Sequence, residues 1–385
     1  MKILLLTASV GSGHTRAAEA VSLALREAHP GVRVETLDAL TLASPLFRAF
    51  YGKGYLALAE RAPALVGWFY DRLDEPRAPG DWARQLVQTA GMKALLSRLR
   101  EGEWDAIVST HFLTSELVAA LKRRALVSAP LVTIVTDMDA HRLWAQEPCT
   151  KYLVGGAEAA NALQRRGVAG ERIAITGIPI HPIFSRLPTR RACLAEHGLS
   201  GTRPVILQLA GGSGHGPLED VYTGLLSLEK PVDLIVVAGR NRAARYRLLK
   251  RLVPARHNAR VLGFTDRMHE LMRAADLVVS KPGGLTCSEA LACGTPMAII
   301  NPIPGQESRN GDFLLENGAA IKINAVAALP GKVAALLEDP LKLARLRESA
   351  LKLASPVAAF DAAREIVSVA ERAARSERGT AAVSA

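Results

Sequence analysis

Short apolar runs alternate with longer amphipathic stretches along most of the chain. Ile3–Leu6, Val32–Leu37, Ala106–Ser109, Leu131–Thr136 and Tyr152–Val154 have the length and aliphatic content of strands. Between them, Thr15–Glu27, Arg84–Leu99 and Ser115–Arg124 carry apolar residues at helical spacing. Strands that are apolar on successive residues are buried on both faces, the condition of a parallel sheet covered by helices. The alternation therefore predicts an α/β fold built of βαβ units in a doubly wound sheet. It breaks at TGIPIHPIFSRLPTRR, where Pro179, Pro182 and Pro188 stop any period, and a hinge is expected there. Alternation resumes with Val205–Leu209, Asp233–Ala238, Arg260–Leu262, Leu277–Val279, Met297–Ile300 and Ala319–Ile323, which predicts a second parallel sheet. After Pro330 the pattern is wholly helical, and the last ten residues, SERGTAAVSA, read as a frayed tail. The expected division is an N-terminal domain, 1–180, a C-terminal domain, 181–355, and a closing helix and tail, 356–385, packed back on the first domain.

Composition narrows the class. No apolar run approaches the roughly 20 residues that span a bilayer, and Lys2 is the only early charge before a strand ending in glycines. Neither a membrane span nor a signal peptide is expected, which predicts a cytoplasmic location. Cys149, Cys193, Cys287 and Cys293 have no C-x-x-C spacing and read as reduced packing residues. The formal charge of +11 is unevenly placed: Arg240 to Arg260 carries eight Lys or Arg residues and no acid. Such a run is either a solvated helix face or an attraction to an anionic phosphate ligand or membrane. No nucleic-acid-binding motif accompanies it, so no nucleic acid partner is expected.

The candidate chemistry lies in glycine corners. Gly11-Ser12-Gly13-His14 recurs letter for letter at Gly212-Ser213-Gly214-His215, each time between a predicted strand and a predicted helix. Ligands of doubly wound sheets bind outside the carboxyl ends of the strands, so the repeat marks one binding corner per domain. A dinucleotide fingerprint needs a third small residue where Arg16 stands, although Asp38 sits near the ribose-binding position of that rival. Neither loop ends in Gly-Lys-Ser or Gly-Lys-Thr, which excludes a Walker loop. Backbone amides of Gly212 to Gly214, with the helix that follows, suit a phosphate. A further corner, SKPGGLTCSEALACGTP, opens a helix at Gly283-Gly284 and puts Thr286 and Glu289 on one face. Thr286 is placed to donate to a phosphate and Glu289 to accept from vicinal ribose hydroxyls, which together describe a nucleoside diphosphate site.

The stretch Gly263 to Ile321, GFTDRMHELMRAADLVVSKPGGLTCSEALACGTPMAIINPIPGQESRNGDFLLENGAAI, resembles the donor-site signature of the diacylglycerol glycosyltransferases. These are the bacterial processive diacylglycerol glucosyltransferases and the plastid monogalactosyldiacylglycerol synthases, both similar to the GlcNAc transferase of the peptidoglycan lipid precursor. TASVGSGHTRAAEA, VTDMDAHRLW and the GIPI hinge match the same family in order and spacing, so the resemblance covers most of the chain. It implies a GT-B fold with two Rossmann-like domains facing across a cleft, the C-terminal one binding a UDP-sugar and the N-terminal one the acceptor. By position, Ser213 and neighbouring amides would hold the diphosphate, the backbone around Phe264 and Thr265 uracil, and Glu289 the ribose. Gln306 would bind sugar hydroxyls, with Glu307 beside it, and Arg240 matches a family position. His14, with Gly13 beside it at the tip of the first loop, would face the acceptor hydroxyl.

Inverting transfer needs a general base and charge stabilisation on the departing diphosphate. His14 suits the first task, with Asp137 either orienting it or acting as the base itself. Helix N-termini can do the second, so no metal or other cofactor is expected. Asp137-Met138-Asp139 is also a D-x-D, the metal-binding pattern of a different, single-sheet transferase architecture. Ser9 and Val10 stand where the plastid enzymes tend to carry an Asp, a departure that favours the bacterial branch.

Eight of the eighteen aromatic residues fall within Ser44 to Trp82: Phe47, Phe50, Tyr51, Tyr55, Trp68, Phe69, Tyr70 and Trp82. They form either a small core of their own or an interfacial segment dipping into lipid headgroups, with Phe50, Tyr51, Trp68 and Phe69 as the expected contacts. Attraction to an anionic membrane would come from Arg240–Arg260 or Lys122-Arg123-Arg124. The expected activity is transfer of a hexose from a UDP-sugar to diacylglycerol at the inner face of the cell membrane, giving a β-glycosyl diacylglycerol. A polyprenyl-linked acceptor and a UDP-GlcNAc 2-epimerase of the same architecture are the alternatives.

Overall fold

The computed structural model describes residues 1–54, 62–75, 87–210 and 217–383. Tyr55, Trp82 and the second glycine corner, Gly212, Ser213 and Gly214, lie outside them. The described chain divides into two compact units. Unit 1 comprises Met1–Pro182, Pro304–Gln306 and Val357–Ala385; unit 2 comprises Ile183–Ile303 and Glu307–Pro356.

Unit 1 is built on β1 (Lys2–Thr7), β2 (Arg33–Asp38), β3 (Ala106–Ser109), β4 (Leu131–Ile134), β5 (Lys151–Val154) and β6 (Ile173–Ile175). They form one parallel sheet in the order β2-β1-β3-β4-β5-β6. The sixth strand is an addition to the sequence reading. Its three residues at the sheet edge are too short to show a period, and Ile175 is largely exposed. Ile3, Leu4, Leu5 and Leu6 are all fully buried, alternate side chains entering the cores on opposite faces of the sheet. One core holds Leu4, Leu6, Ile107 and Trp144. The other holds Ile3, Leu5, Val21 and Leu25, and is closed by Ala359, Ala362, Ala363, Ile366 and Val369 from the last helix, Ala358–Val383. That helix continues to Val383, where a frayed tail was expected from Ser376; its run of Ala, Arg and Glu keeps the backbone helical.

The expected Arg84–Leu99 helix is instead interrupted. It is helical to Gly91, turns at Met92 and restarts as Lys93–Glu101. Gly91 lies against the Phe47 ring, so close that a Cβ would sit 2.5 Å from it, and its carbonyl accepts from the Ser44 amide at 2.8 Å.

Unit 2 contains β7 (Val205–Leu209), β8 (Asp233–Val237), β9 (Asn258–Leu262), β10 (Leu277–Ser280), β11 (Met297–Ile300) and β12 (Ala320–Ile323). They too are parallel, in the order β12-β11-β10-β7-β8-β9, the strand order of a dinucleotide-binding sheet. The four cysteines are free and buried, and burial raises the thiol of Cys149 to about 11 and that of Cys293 higher still. Such thiols pack rather than react.

The Gly284–Cys293 helix ends on Gly294 at φ 65°, where a Cβ would lie 2.7 Å from Leu351. Gly294→Ala therefore adds both backbone strain and a clash, and is expected to lower stability by about 1–3 kcal/mol, read as a drop in Tm. An unchanged Tm would contradict this packing.

Candidate active site

In unit 1 the chain leaves β1 toward β2 on one side, while β3 lies on the other. The crevice outside the carboxyl ends of β1 and β3 is thus the switch point of the sheet. Gly11, at φ 103°, turns the chain out of β1 in a conformation that other residues rarely adopt. The helix Gly13–Ala28 then begins, and His14 is its second residue. The sequence reading put His14 at a loop tip; it lies inside the first helical turn and is only 8% exposed.

Its ring is held by residues just past the neighbouring strands. Nδ1 lies 2.9 Å from the Thr110 carbonyl oxygen, one residue after β3, and 2.9 Å from Thr136 Oγ1, shortly after β4. A carbonyl oxygen only accepts, so Nδ1 carries the proton and Nε2 keeps its lone pair. The Thr110 hydroxyl donates back to the His14 carbonyl at 3.0 Å, which locks the two corners together. Burial lowers the His14 pKa to about 4, the Thr110 bond opposing part of that shift. The positive end of the helix further disfavours an imidazolium. At neutral pH His14 is therefore a neutral imidazole of fixed tautomer.

His111 packs edge-on to it, ring centroids 4.4 Å apart. Its Nδ1 accepts from the Leu113 amide at 3.0 Å and caps the Phe112–Arg123 helix. Burial, followed by the proximity of His14, pushes its pKa well below the ordinary histidine value. Asp137 is buried, and its Oδ2 accepts from the Trp144 indole N–H at 3.2 Å. The His14 ring is thus oriented by Thr110 and Thr136 rather than by Asp137, because the two threonines follow the strands that flank the crevice. Among the described residues no group of three or more His, Cys, Asp or Glu side chains is gathered to hold a metal.

The aromatic stretch divides by exposure. Phe47 is buried and stacks on Tyr51 at 5.2 Å, and Tyr51 approaches His111 at 6.3 Å. Leu46, Phe50, Trp68 and Phe69 face solvent at 82%, 75%, 58% and 46% exposure. Trp68 and Phe69 ride on the helix Pro63–Asp74, which is fastened at its far end. There Asp74 Oδ1 accepts from the Arg142 amide and from the Arg166 guanidinium, each at 2.7 Å. Burial alone would raise the Asp74 carboxyl, but these donors outweigh it and hold the pKa near about 2.

In unit 2 the switch point lies between β7 and β10. β10 leads through Lys281 into Gly283, which caps the Gly284–Cys293 helix without a side-chain bond. β7 and β10 are adjacent strands. A pocket at these strand ends is lined by Gln208, Leu218, Val279, Lys281, Ile300 and Asn301. Among the described residues, Gln208 Oε1 and Ser280 Oγ are buried without a hydrogen-bond partner. Glu289 is buried on the helix, with Thr286 half-buried one turn before it. Glu307 accepts from the Ile303 amide at 2.7 Å; burial raises its pKa, which that bond and the Lys281 charge partly oppose.

Arg240 lies over the exposed Phe264 ring at 5.2 Å, and Thr265 Oγ1 accepts from the Arg267 amide at 3.1 Å. Gln306 is half-buried and groups with unit 1, whereas the adjacent Glu307 groups with unit 2. The sequence reading missed Lys281, although it stands inside the quoted SKPGG motif as a cation next to two glycines. It also missed Thr110, His111 and Thr136, whose only signal was their place at the ends of apolar runs.

Two relatives match almost the whole chain. The processive diacylglycerol β-glucosyltransferase of Bacillus cytotoxicus is 28% identical over 361 residues, covering 89% of this chain and 87% of the relative. The protein of the same name from Bacillus subtilis is 29% identical over 343 residues, covering 88% and 87%. The monogalactosyldiacylglycerol (MGDG) synthase family matches residues 14–180, and the family of glycosyl transferases group 1 matches residues 196–353. Over most of its length the chain is thus similar to the processive diacylglycerol glucosyltransferases, with one region matching the synthase family and one the group 1 transferases. It is a glycosyltransferase, and its fold is GT-B. Among solved structures, MurG of Acinetobacter baumannii shares the fold at a TM-score of 0.63 and 17% identity, covering 95% of this chain and 99% of that one. Anabaena HepE in complex with UDP gives 0.54 at 18% identity, covering 98% and 100%. UDP-GlcNAc 2-epimerase of Neisseria meningitidis, bound to UDP-GlcNAc, gives 0.58 at 13% identity, covering 97% and 100%.

Proposed function

We propose that the protein transfers a hexose from a UDP-sugar to the hydroxyl of 1,2-diacylglycerol with inversion, giving a β-glycosyl diacylglycerol. The first domain takes the acceptor and the second holds the donor. The observation that carries this reading is His14. With its Nδ1–H directed at the Thr110 carbonyl, the buried imidazole offers the Nε2 lone pair as a proton acceptor, which supports the base role. In the reaction the acceptor oxygen attacks C1 of the sugar as its proton passes to Nε2. The bond from C1 to the diphosphate oxygen breaks, and the charge left on UDP meets the amides of Gly212 to Gly214, the helix N-terminus at Gly283-Gly284 and Lys281. Glu289 accepts from the ribose, Thr286 donates to phosphate, the segment at Phe264 and Thr265 contacts uracil beside Arg240, and Gln306 and Glu307 select the sugar.

A lipid acceptor is favoured by Leu46, Phe50, Trp68 and Phe69, an outward apolar set in the unit matched by the synthase family. No described helix is long and apolar enough to cross a membrane, so the approach to lipid in this reading is peripheral, at the inner face of the cell membrane. The epimerase alternative shares the fold but needs no lipid.

Purified protein given a mixture of UDP-sugars with diacylglycerol is expected to yield hexosyl diacylglycerol by mass spectrometry, with free UDP formed only when the lipid is present. Epimerised UDP-GlcNAc without lipid would overturn the class. Glycosylation of a polyprenyl-linked lipid alone would overturn the acceptor.

A further inference from the structure

Unit 2 carries a second amphipathic surface, separate from its pocket. The helix Arg242–Leu249 leaves the carboxyl end of β8 and returns toward the start of β9, so its last turn lies at the amino edge of the sheet, away from the glycine corners. Leu248 and Ala244 are buried beneath it. Tyr246, Leu249, Leu252 and Val253 point outward at 60%, 57%, 94% and 40% exposure, a cluster that the core does not use. On the same helix Arg242 and Arg245 are exposed, the Arg245 stem lying near Gly263, and the Lys250 ammonium stands 4.2 Å from the Tyr246 ring centroid.

The chain has no acid between Asp233 and Asp266. The acid that reaches this surface from the preceding helix is Glu219, which pairs with Arg247 at 2.5 Å and Arg251 at 4.0 Å. Arg256 and Arg260 donate to backbone carbonyls, so they are structural. What remains is an aliphatic tip with a tyrosine, with Lys250 on that ring and Arg242 and Arg245 exposed on the same helix, three cations that have no acidic partner among the described residues. Aliphatic side chains with flanking Lys and Arg are the composition that partitions into an anionic membrane interface. A second copy of the chain would set like charges against each other across the symmetry axis.

We propose that residues 246–253 insert into the headgroup layer of an anionic bilayer, giving unit 2 a membrane contact of its own. The proposal rests on the reading that the acceptor is a membrane lipid, and it adds a contact in the donor-binding half of the chain.

The test uses the full chain with Leu252→Cys, labelled at the introduced thiol with an environment-sensitive fluorophore. The four native cysteines are buried, and Leu252 at 94% exposure is outside the core. Vesicles of phosphatidylcholine with about one-third phosphatidylglycerol are expected to shift the emission to the blue at low salt, while phosphatidylcholine alone leaves it unchanged. Arg242→Gln, Arg245→Gln and Lys250→Gln together are expected to weaken that partition about a hundredfold. A parallel Trp68→Cys label reports unit 1. If the Trp68 label responds and the Leu252 label is silent, the proposal is overturned and the lipid reading stands; if both are silent, the lipid reading falls with it. A shift of equal size on neutral vesicles, or one that grows with protein concentration in their absence, also overturns it.

Discussion

His14→Ala is expected to lower kcat by about 10²- to 10⁴-fold while leaving the KM for the donor within about twofold. The asymmetry follows from where the residue sits. His14 belongs to unit 1, whereas the Gly283-Gly284 corner and Glu289 belong to unit 2, so on the proposed reading its loss removes proton transfer and leaves donor contacts in place. The pH dependence is a second signature. The neutral ring is the active form, and its pKa is held at about 4 against 6.5 for a free histidine. Activity is therefore flat through pH 6.5 and falls only as pH drops through about 4. A rate that breaks near 6.5, or a variant whose donor KM rises with kcat intact, would remove His14 from the base role. The same shift acts on stability. Between 6.5 and about 4 the unfolded chain binds the proton more readily than the folded one, so stability declines as pH falls across that window, by about 3 kcal/mol in all.

Glu289→Ala should have the complementary phenotype. A carboxylate that accepts from two vicinal hydroxyls makes charge-assisted bonds worth about 1.5–3 kcal/mol, so the KM for the UDP-sugar should rise roughly 10- to 100-fold, with kcat at saturating donor largely kept. Glu289 is buried on a helix that packs against the sheet, so a folding control accompanies the measurement. Glu289→Gln, similar in shape and still able to accept one bond, should recover part of the affinity. If Glu289→Ala binds UDP as tightly as the unsubstituted protein by calorimetry, the ribose assignment is wrong.

The sheets were legible in the sequence because parallel strands buried on both faces leave unbroken apolar runs such as Ile3–Leu6 and Val205–Leu209, bounded by glycines. β6 escaped because three edge residues carry no period, and the break at Gly91 because it answers a tertiary contact with Phe47. The glycine corners were visible because their residues are local and distinctive, glycines set between an apolar run and a helical stretch. The setting of His14 was not. Thr110 and Thr136 are about a hundred residues away along the chain, and only the strand order β1-β3-β4 brings them to its ring. Lys281 was in plain view, but a single cation beside glycines gains meaning only once the buried, unpartnered Gln208 and Ser280 oxygens appear beside it.

The last helix has a consequence for how the molecule is made. Ala359, Ala362, Ile366 and Val369 complete the face of the sheet that holds Ile3 and Leu5, so β1 waits for a helix that is made after the whole second unit before its apolar surface is sealed. During synthesis the second unit can close while the first stays open on one side, and a chain cut before Ala358 would come undone at β1.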